Sequence, residues 1–135
     1  MSNTKKYHLF FVVLNYMNYS LTTNLVRNIK NSIVGYDEYG ILIVDNASPN
    51  ESYEILKGQF DDVEDVFVIR NSTNQGYAKG NNFGVKYIEE NFIECRYIAI
   101  TNPDVEFFDN TDLGKILKKL ESNAMIASIA PIHLL

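Results

Sequence analysis

Three apolar runs of strand length each end in side chains able to bind ligands or take part in acid–base chemistry. Ile41-Leu42-Ile43-Val44 delivers Asp45, Asn46 and Ser48; Val66-Phe67-Val68-Ile69-Arg70 runs into an Asn- and Gly-rich stretch from Asn71 to Asn82; Tyr97-Ile98-Ala99-Ile100-Thr101 runs into Asn102-Pro103-Asp104. Open α/β sheets bind ligands at the carboxyl ends of their strands, so these polar groups stand where a site would form. Asp45 can accept a hydrogen bond from a nucleobase N–H or a sugar hydroxyl; the Asp-Asn pair reads equally well as the cap of a following helix. Asn102-Pro103-Asp104 is sharper, because proline ends the strand and fixes a turn from which Asp104 can ligate a hard cation. Mg2+ or Mn2+ takes one or two protein carboxylates and completes its octahedron with phosphate oxygens and water, so one aspartate suffices beside a nucleoside diphosphate. Alone, the tripeptide is also an ordinary turn. Glu106 is a further acidic candidate, or simply a solvent-facing residue.

The stretch from Asn74 to Asn82 suits a loop whose backbone approaches a ligand, and it leads into a helix N-terminus that favours anions. A plain strand-to-helix turn explains it as well. Its glycines, Gly76, Gly80 and Gly84, are spaced G-x-x-x-G-x-x-x-G. That is not the G-x-G-x-x-G dinucleotide fingerprint, and no G-x-x-x-x-G-K-[ST] phosphate loop is present. His8 and His133 are far apart and beside apolar runs, which does not support a Ser-His-Asp or Cys-His arrangement. Tyr7, Tyr19, Tyr77 and Tyr97 suit the core and its margins, whereas Tyr16 follows the first strand at a ligand-facing end.

The elements that must position these groups alternate between strand-length apolar runs and amphipathic stretches, the pattern of βαβ units and a mainly parallel sheet. Continuous apolar runs suit strands covered on both faces. Strands are predicted near Leu9–Leu14, Ile41–Val44, Val66–Ile69, Tyr97–Ile100 and Met125–Ile129. A first helix begins near Ser20 with Leu21, Leu25, Val26 and Ile29 inward. Ser48-Pro49-Asn50-Glu51 matches a capping box opening a second. A third runs from about Lys79 to Asn91 with Phe83, Tyr87 and Ile88 buried, and a fourth from roughly Asp112 to Ser122.

The chain has 135 residues and a formal charge of -5, with 12 Lys+Arg against 17 Asp+Glu. That length is one domain's worth of core, and the charge argues against a nucleic-acid partner, which demands a basic face. Cys95 is the only cysteine, so no internal disulfide forms and secretion is not suggested. No signal peptide is recognisable, and no stretch approaches the roughly 20 apolar residues that span a bilayer. The expectation is a soluble, cytoplasmic protein, with peripheral membrane association of a longer parent left open.

Taken together, the three loops resemble family 2 of the nucleotide-sugar glycosyltransferases, enzymes of the GT-A fold. Val12-Val13-Leu14-Asn15-Tyr16-Met17-Asn18-Tyr19 is similar to the family's first strand and nucleotide-contacting turn, with Met17 where asparagine is common. Ile43-Val44-Asp45-Asn46-Ala47-Ser48 resembles the second strand, whose aspartate contacts the base. Asn74-Gln75-Gly76-Tyr77-Ala78-Lys79-Gly80-Asn81-Asn82 resembles the nucleotide-binding loop, in the version of rhamnosyltransferase-like members. Asn102-Pro103-Asp104 sits where the D-x-D motif belongs, with Asn102 in place of the first aspartate.

The resemblance implies an α/β fold with a mainly parallel sheet, helices on both faces and a Rossmann-like nucleotide-binding part. It implies transfer, with inversion, from a nucleoside-diphosphate sugar of UDP or dTDP type to a saccharide or lipid-linked saccharide acceptor in polysaccharide or glycoconjugate synthesis. Asp45 would hold the base; Asn15, Tyr16, Asn74, Gly76, Asn81 and Asn102 would frame the nucleotide; Asp104 would bind Mg2+ or Mn2+. The catalytic base of such enzymes lies well after the D-x-D position, hence beyond Leu135 here, and the apolar Ile129 to Leu135 resembles a strand needing partners. The expectation is therefore a single donor-binding domain over 1–135, truncated at its carboxyl end and lacking the base. A non-catalytic nucleotide-binding or assembly module is the alternative, with a sugar nucleotidyltransferase or a domain docking a protein on its edge behind it.

Overall fold

A computed structural model of the chain describes residues 5–33 and 35–104, together with Lys115, Lys118, Lys119 and Ser122, which are helical. The described elements run β1 (Leu9–Asn15), α1 (Tyr19–Ser32), β2 (Tyr39–Asn46), α2 (Ser52–Phe60), β3 (Val66–Asn71), α3 (Tyr77–Asn91) and β4 (Tyr97–Thr101). All pairings are parallel and the strand order is β3-β2-β1-β4. The expected α/β architecture therefore holds. The predicted strand at Met125–Ile129 lies outside the described residues, as do Glu106, His133 and most of the predicted fourth helix.

Apolar side chains alternate across the sheet because successive residues of a strand face opposite sides. Leu9, Phe11 and Val13 of β1 join Ile41 and Ile43 of β2 against Leu25, Val26 and Ile29 of α1 and Leu56 and Phe60 of α2. Phe10, Val12 and Leu14 join Leu42 and Val44 against Ile88 of α3, with Phe67, Tyr87 and Phe92 packed beside them. So α1 and α2 cover one face and α3 the other. That division follows from handedness: the chain winds outward from β1 through β2 to β3, then reverses to β4, and a right-handed crossover in the opposite direction lands on the opposite face. The reversal puts a switch point between β1 and β4, where sheets of this kind open a crevice.

Three local expectations are corrected. Leu21 is exposed rather than inward, and Thr22 and Thr23 take the buried positions on α1. Phe83 is exposed too, because α3 presses on the sheet through Gly80, Gly84 and Ile88. Helix α2 starts at Ser52 with no side-chain cap; the Ser48 hydroxyl that would have capped it donates to Asp45, and its oxygen accepts from the Met17 N–H instead of a helix N–H.

Gly84 sets how near α3 can lie. A Cβ built there would stand 2.8 Å from Val44 Cγ2 and 3.1 Å from Val12 Cγ1, both on fully buried β-branched side chains that cannot turn away. Gly84→Leu is expected to destabilise the domain by about 1–3 kcal/mol in urea unfolding, the usual cost of overpacking a tight core. An unchanged midpoint would show that α3 moves outward freely.

Candidate functional site

A cleft of about 580 Å³ opens at the carboxyl ends of β1 and β4, lined by Asn15 at the end of β1 with Tyr16 and Asn18 after it, Asn46 at the end of β2, Asn74, Gly76 and Tyr77 before and in α3, and Asn102, Pro103 and Asp104 after β4. Leu14 and Leu21 complete its apolar wall. The structure thus brings together Asn15, Tyr16, Asn74, Gly76, Asn102 and Asp104 from three loops. Asp45 and Asn81 are not part of the lining. A second hollow, about 390 Å³, follows β3 and includes Tyr7, Lys57 and Asp65, away from the strand ends.

Asp45 is 0 % exposed, and its oxygens are taken up within the fold. Parallel register sets Asn15 beside Asp45, and Asn15 Nδ2 donates to Oδ1 at 3.0 Å. Ser48 gives the carboxylate two more donors, its hydroxyl to Oδ1 at 2.7 Å and its backbone N–H to Oδ2 at 3.0 Å. The network continues outward: Thr22 Oγ1 donates to Asn15 Oδ1 at 2.6 Å, and Ser48 Oγ accepts from the Met17 N–H at 2.9 Å. Arg70, at the end of β3, brings its Nε to 4.0 Å from the carboxylate and donates from Nη2 to the Ser48 carbonyl at 3.3 Å. A buried carboxylate persists only with such donors and a counter-charge. Its visible effect is to lock the turn after β1 to the turn after β2.

The locked turn carries strain. Met17 has φ 60 and Ala47 φ 57, left-handed values that cost an ordinary L-residue roughly 1–2 kcal/mol and that Asn or Gly adopts readily. Met17 is held there from both sides, since Asn50 Nδ2 donates to its carbonyl at 3.1 Å. Its side chain is exposed, so Met17→Asn removes strain without opening the core. The substitution is expected to raise stability by about 0.5–1 kcal/mol in urea unfolding; a lower midpoint would mean the thioether packs usefully.

The opposite wall is a relay of amides. Asn71 Nδ2 donates to Asn46 Oδ1 at 3.2 Å, Asn46 Nδ2 to Asn74 Oδ1 at 3.1 Å, and the Gly76 N–H to the same Asn74 oxygen at 2.9 Å. Gly76 sits at φ 100, a conformation reserved for glycine, and leads into α3 with no side-chain cap. The first N–H groups of α3, which like those of any α-helix have no intrahelical partners, thus receive no side-chain cap. Asn81 is 5 % exposed, and its Nδ2 donates to the Tyr77 carbonyl. Its Oδ1 is buried without a hydrogen-bond partner among the described residues.

Among the described residues, none lining the cleft is basic, and no group of three or more His, Cys, Asp or Glu assembles to cage an ion. Asp104 is the single carboxylate in the lining, and it is exposed. This donor set fits a hard divalent cation only if a ligand's own oxygens complete the shell, as diphosphates do for Mg2+.

Sequence reasoning left Tyr77 among the core-margin tyrosines, yet it is 55 % exposed and lines the cleft. Asn46, named with Asp45 at that strand end, does line the cleft; Asn18 lines it as well, and Arg70 bonds to the turn after β2, roles that the sequence alone does not assign. Arg70 ends an apolar strand just as Asp45 does, which was the available signal.

Fold and cleft together define an α/β domain with an open cleft at the switch point of a parallel sheet. The chain belongs to the family "Glycosyl transferase family 2", whose profile matches residues 10–133. It is 28% identical over 96 residues to the minor teichoic acid biosynthesis protein GgaB of Bacillus subtilis (strain 168), a match covering 70% of this chain and 10% of that protein. Its fold is similar to that of the mannosyltransferase PcManGT from Pyrobaculum calidifontis, solved in complex with GDP-Man and Mn2+, with a TM-score of 0.66 at 18% identity over 87% of this chain and 33% of that one. S. aureus TarS 1-349 gives a TM-score of 0.67 at 17% identity over 84% of this chain and 32% of that one. The chain thus spans about a tenth of the curated relative and about a third of each solved structure. These neighbours establish the GT-A type of fold.

Proposed function

We propose that the chain is the donor-binding part of an inverting glycosyltransferase that moves a sugar from a nucleoside-diphosphate sugar to an acceptor hydroxyl. The observation that carries this reading is the cleft itself. It combines an exposed aromatic ring at Tyr16, a wall of amide groups and one carboxylate, with no basic side chain in its described lining. The ring offers a face for a base, the amides offer donors and acceptors for ribose, and a diphosphate finds its counter-charge in a cation on Asp104 and in the free N–H groups of α3. Mg2+ or Mn2+ there would neutralise charge building on the departing diphosphate. Asp45 serves through Asn15 and Ser48, holding the turn that carries Tyr16.

The acceptor is a saccharide or lipid-linked saccharide and the pathway one of surface-polymer synthesis, a reading that the teichoic acid relative supports. Asp104, the one carboxylate in the described lining, would hold the metal, and the part this stretch of chain plays in the proposed reaction is donor binding. Calorimetric titration with UDP, dTDP and GDP, with and without Mn2+, tests the reading. Metal-dependent binding of at least one diphosphate is expected; no binding of any by folded protein would overturn it.

A further inference from the structure

Tyr77, the first residue of α3, donates its hydroxyl to Oδ1 of Asn102 after β4. The two are 25 positions apart, and their elements flank the end of β1: α3 packs over β1 and β2, while β4 pairs with the other side of β1. The bond therefore ties the helix to the loop that carries Asp104, across the mouth of the cleft that both residues line. Exposed as it is, the Tyr77 phenol has water for a partner, so burial does not require this contact.

An asparagine amide offers one acceptor oxygen and an NH2 group with two donors. With Oδ1 engaged by the phenol, Asn102 is left with its N–H groups for a ligand. Hard cations select oxygen ligands, and the bond to the phenol holds Oδ1 turned toward Tyr77. Meanwhile N–H donors are what a phosphate oxygen or a ribose hydroxyl needs where the described lining has no lysine or arginine.

We propose that Tyr77 is a positioning residue that fixes Asn102 as a hydrogen-bond donor to the bound nucleotide and keeps its carbonyl oxygen off the metal, so that among the described residues of this loop Asp104 is the one left to ligate a metal. The ligand half of this inference rests on the reading of the cleft as a nucleotide-sugar site. Tyr77 also ties the Asp104 loop to α3, so that metal and nucleotide partners keep one spacing.

The test uses the whole chain and two measurements. In 15N NMR spectra without ligand, Tyr77→Phe is expected to shift the Asn102 side-chain amide signals and lower their order parameter while the unfolding midpoint stays in place. In metal-free titration with the diphosphate that binds best, Tyr77→Phe and Asn102→Ala each weaken affinity about 5–10-fold, the range of one lost hydrogen bond. The double variant loses no more than either single one. Asn102→Asp, which keeps an acceptor for the phenol but has no N–H to give the ligand, weakens affinity as Asn102→Ala does and is not weakened further by Tyr77→Phe. An Asn102 amide that does not respond to Tyr77→Phe, or losses that multiply in the double variant, would overturn the proposal. Absence of nucleotide binding by the unmodified chain overturns instead the reading of the cleft, and the amide signals report on the Tyr77–Asn102 bond separately.

Discussion

Asp104→Ala is expected to remove the Mn2+-dependent part of nucleoside-diphosphate binding, lowering affinity in the presence of metal by roughly 100-fold, at the upper end of what tuning residues around a metal contribute. In metal-free buffer the same variant should bind as the unmodified chain does. The contrast follows from the cleft's chemistry. Its described lining has no lysine or arginine, the chain carries a net charge of -5, and a diphosphate adds negative charge. A cation must offset that charge, and Asp104 is the carboxylate available to hold it. Because Asp104 is exposed after β4, its removal should leave the unfolding midpoint unmoved. Equal affinity of variant and parent in saturating Mn2+ would mean that the metal is held elsewhere or is not used.

Asp45→Ala should behave in the opposite way, with its main effect on stability. The substitution strips the acceptor from Asn15 Nδ2, the Ser48 hydroxyl and the Ser48 N–H, all in residues that are 0–1 % exposed. Each orphaned buried donor costs about 1–3 kcal/mol, and loss of one partner from a buried charged cluster about 3–5 kcal/mol. Against a total of about 5–15 kcal/mol for an ordinary domain, the variant should unfold at much lower urea. Asp45→Asn keeps the shape but turns an NH2 group toward the Ser48 N–H, and should cost less, about 1–3 kcal/mol. A full-strength unfolding midpoint in Asp45→Ala would show that the network is dispensable and would return Asp45 to a direct ligand role. Loss of nucleotide binding in this variant therefore has to be read beside its stability.

The ends of β1, β2, β3 and β4 were legible because unbroken apolar runs of strand length are a local pattern. The loops after them were legible because Asn, Gly and Pro punctuate chain direction at short range. Helix phase was less so. Leu21 and Phe83 fit an inward stripe by spacing, but α1 turns Leu21 into the cleft wall and α3 turns its glycines to the sheet. The capping box at Ser48 failed for a related reason: its hydroxyl donates to the buried Asp45 carboxylate and its oxygen accepts from the Met17 N–H, a residue 31 positions away, instead of from a helix N–H.

By itself the sequence determined the parallel α/β class, the positions of the strand ends and the residue types that gather there, since each of these follows from patterns within about ten consecutive residues. Only the tertiary structure decided which of those residues line the cleft and which are buried beneath it. Asp45 and Asn15, 30 positions apart, meet through strand register and close on each other. Tyr77 and Asn102, 25 apart, meet because the chain reverses direction after β3 and α3 crosses to the other face of the sheet. Such contacts depend on crossover handedness and packing distance, quantities set by the whole fold and absent from any local run of residues.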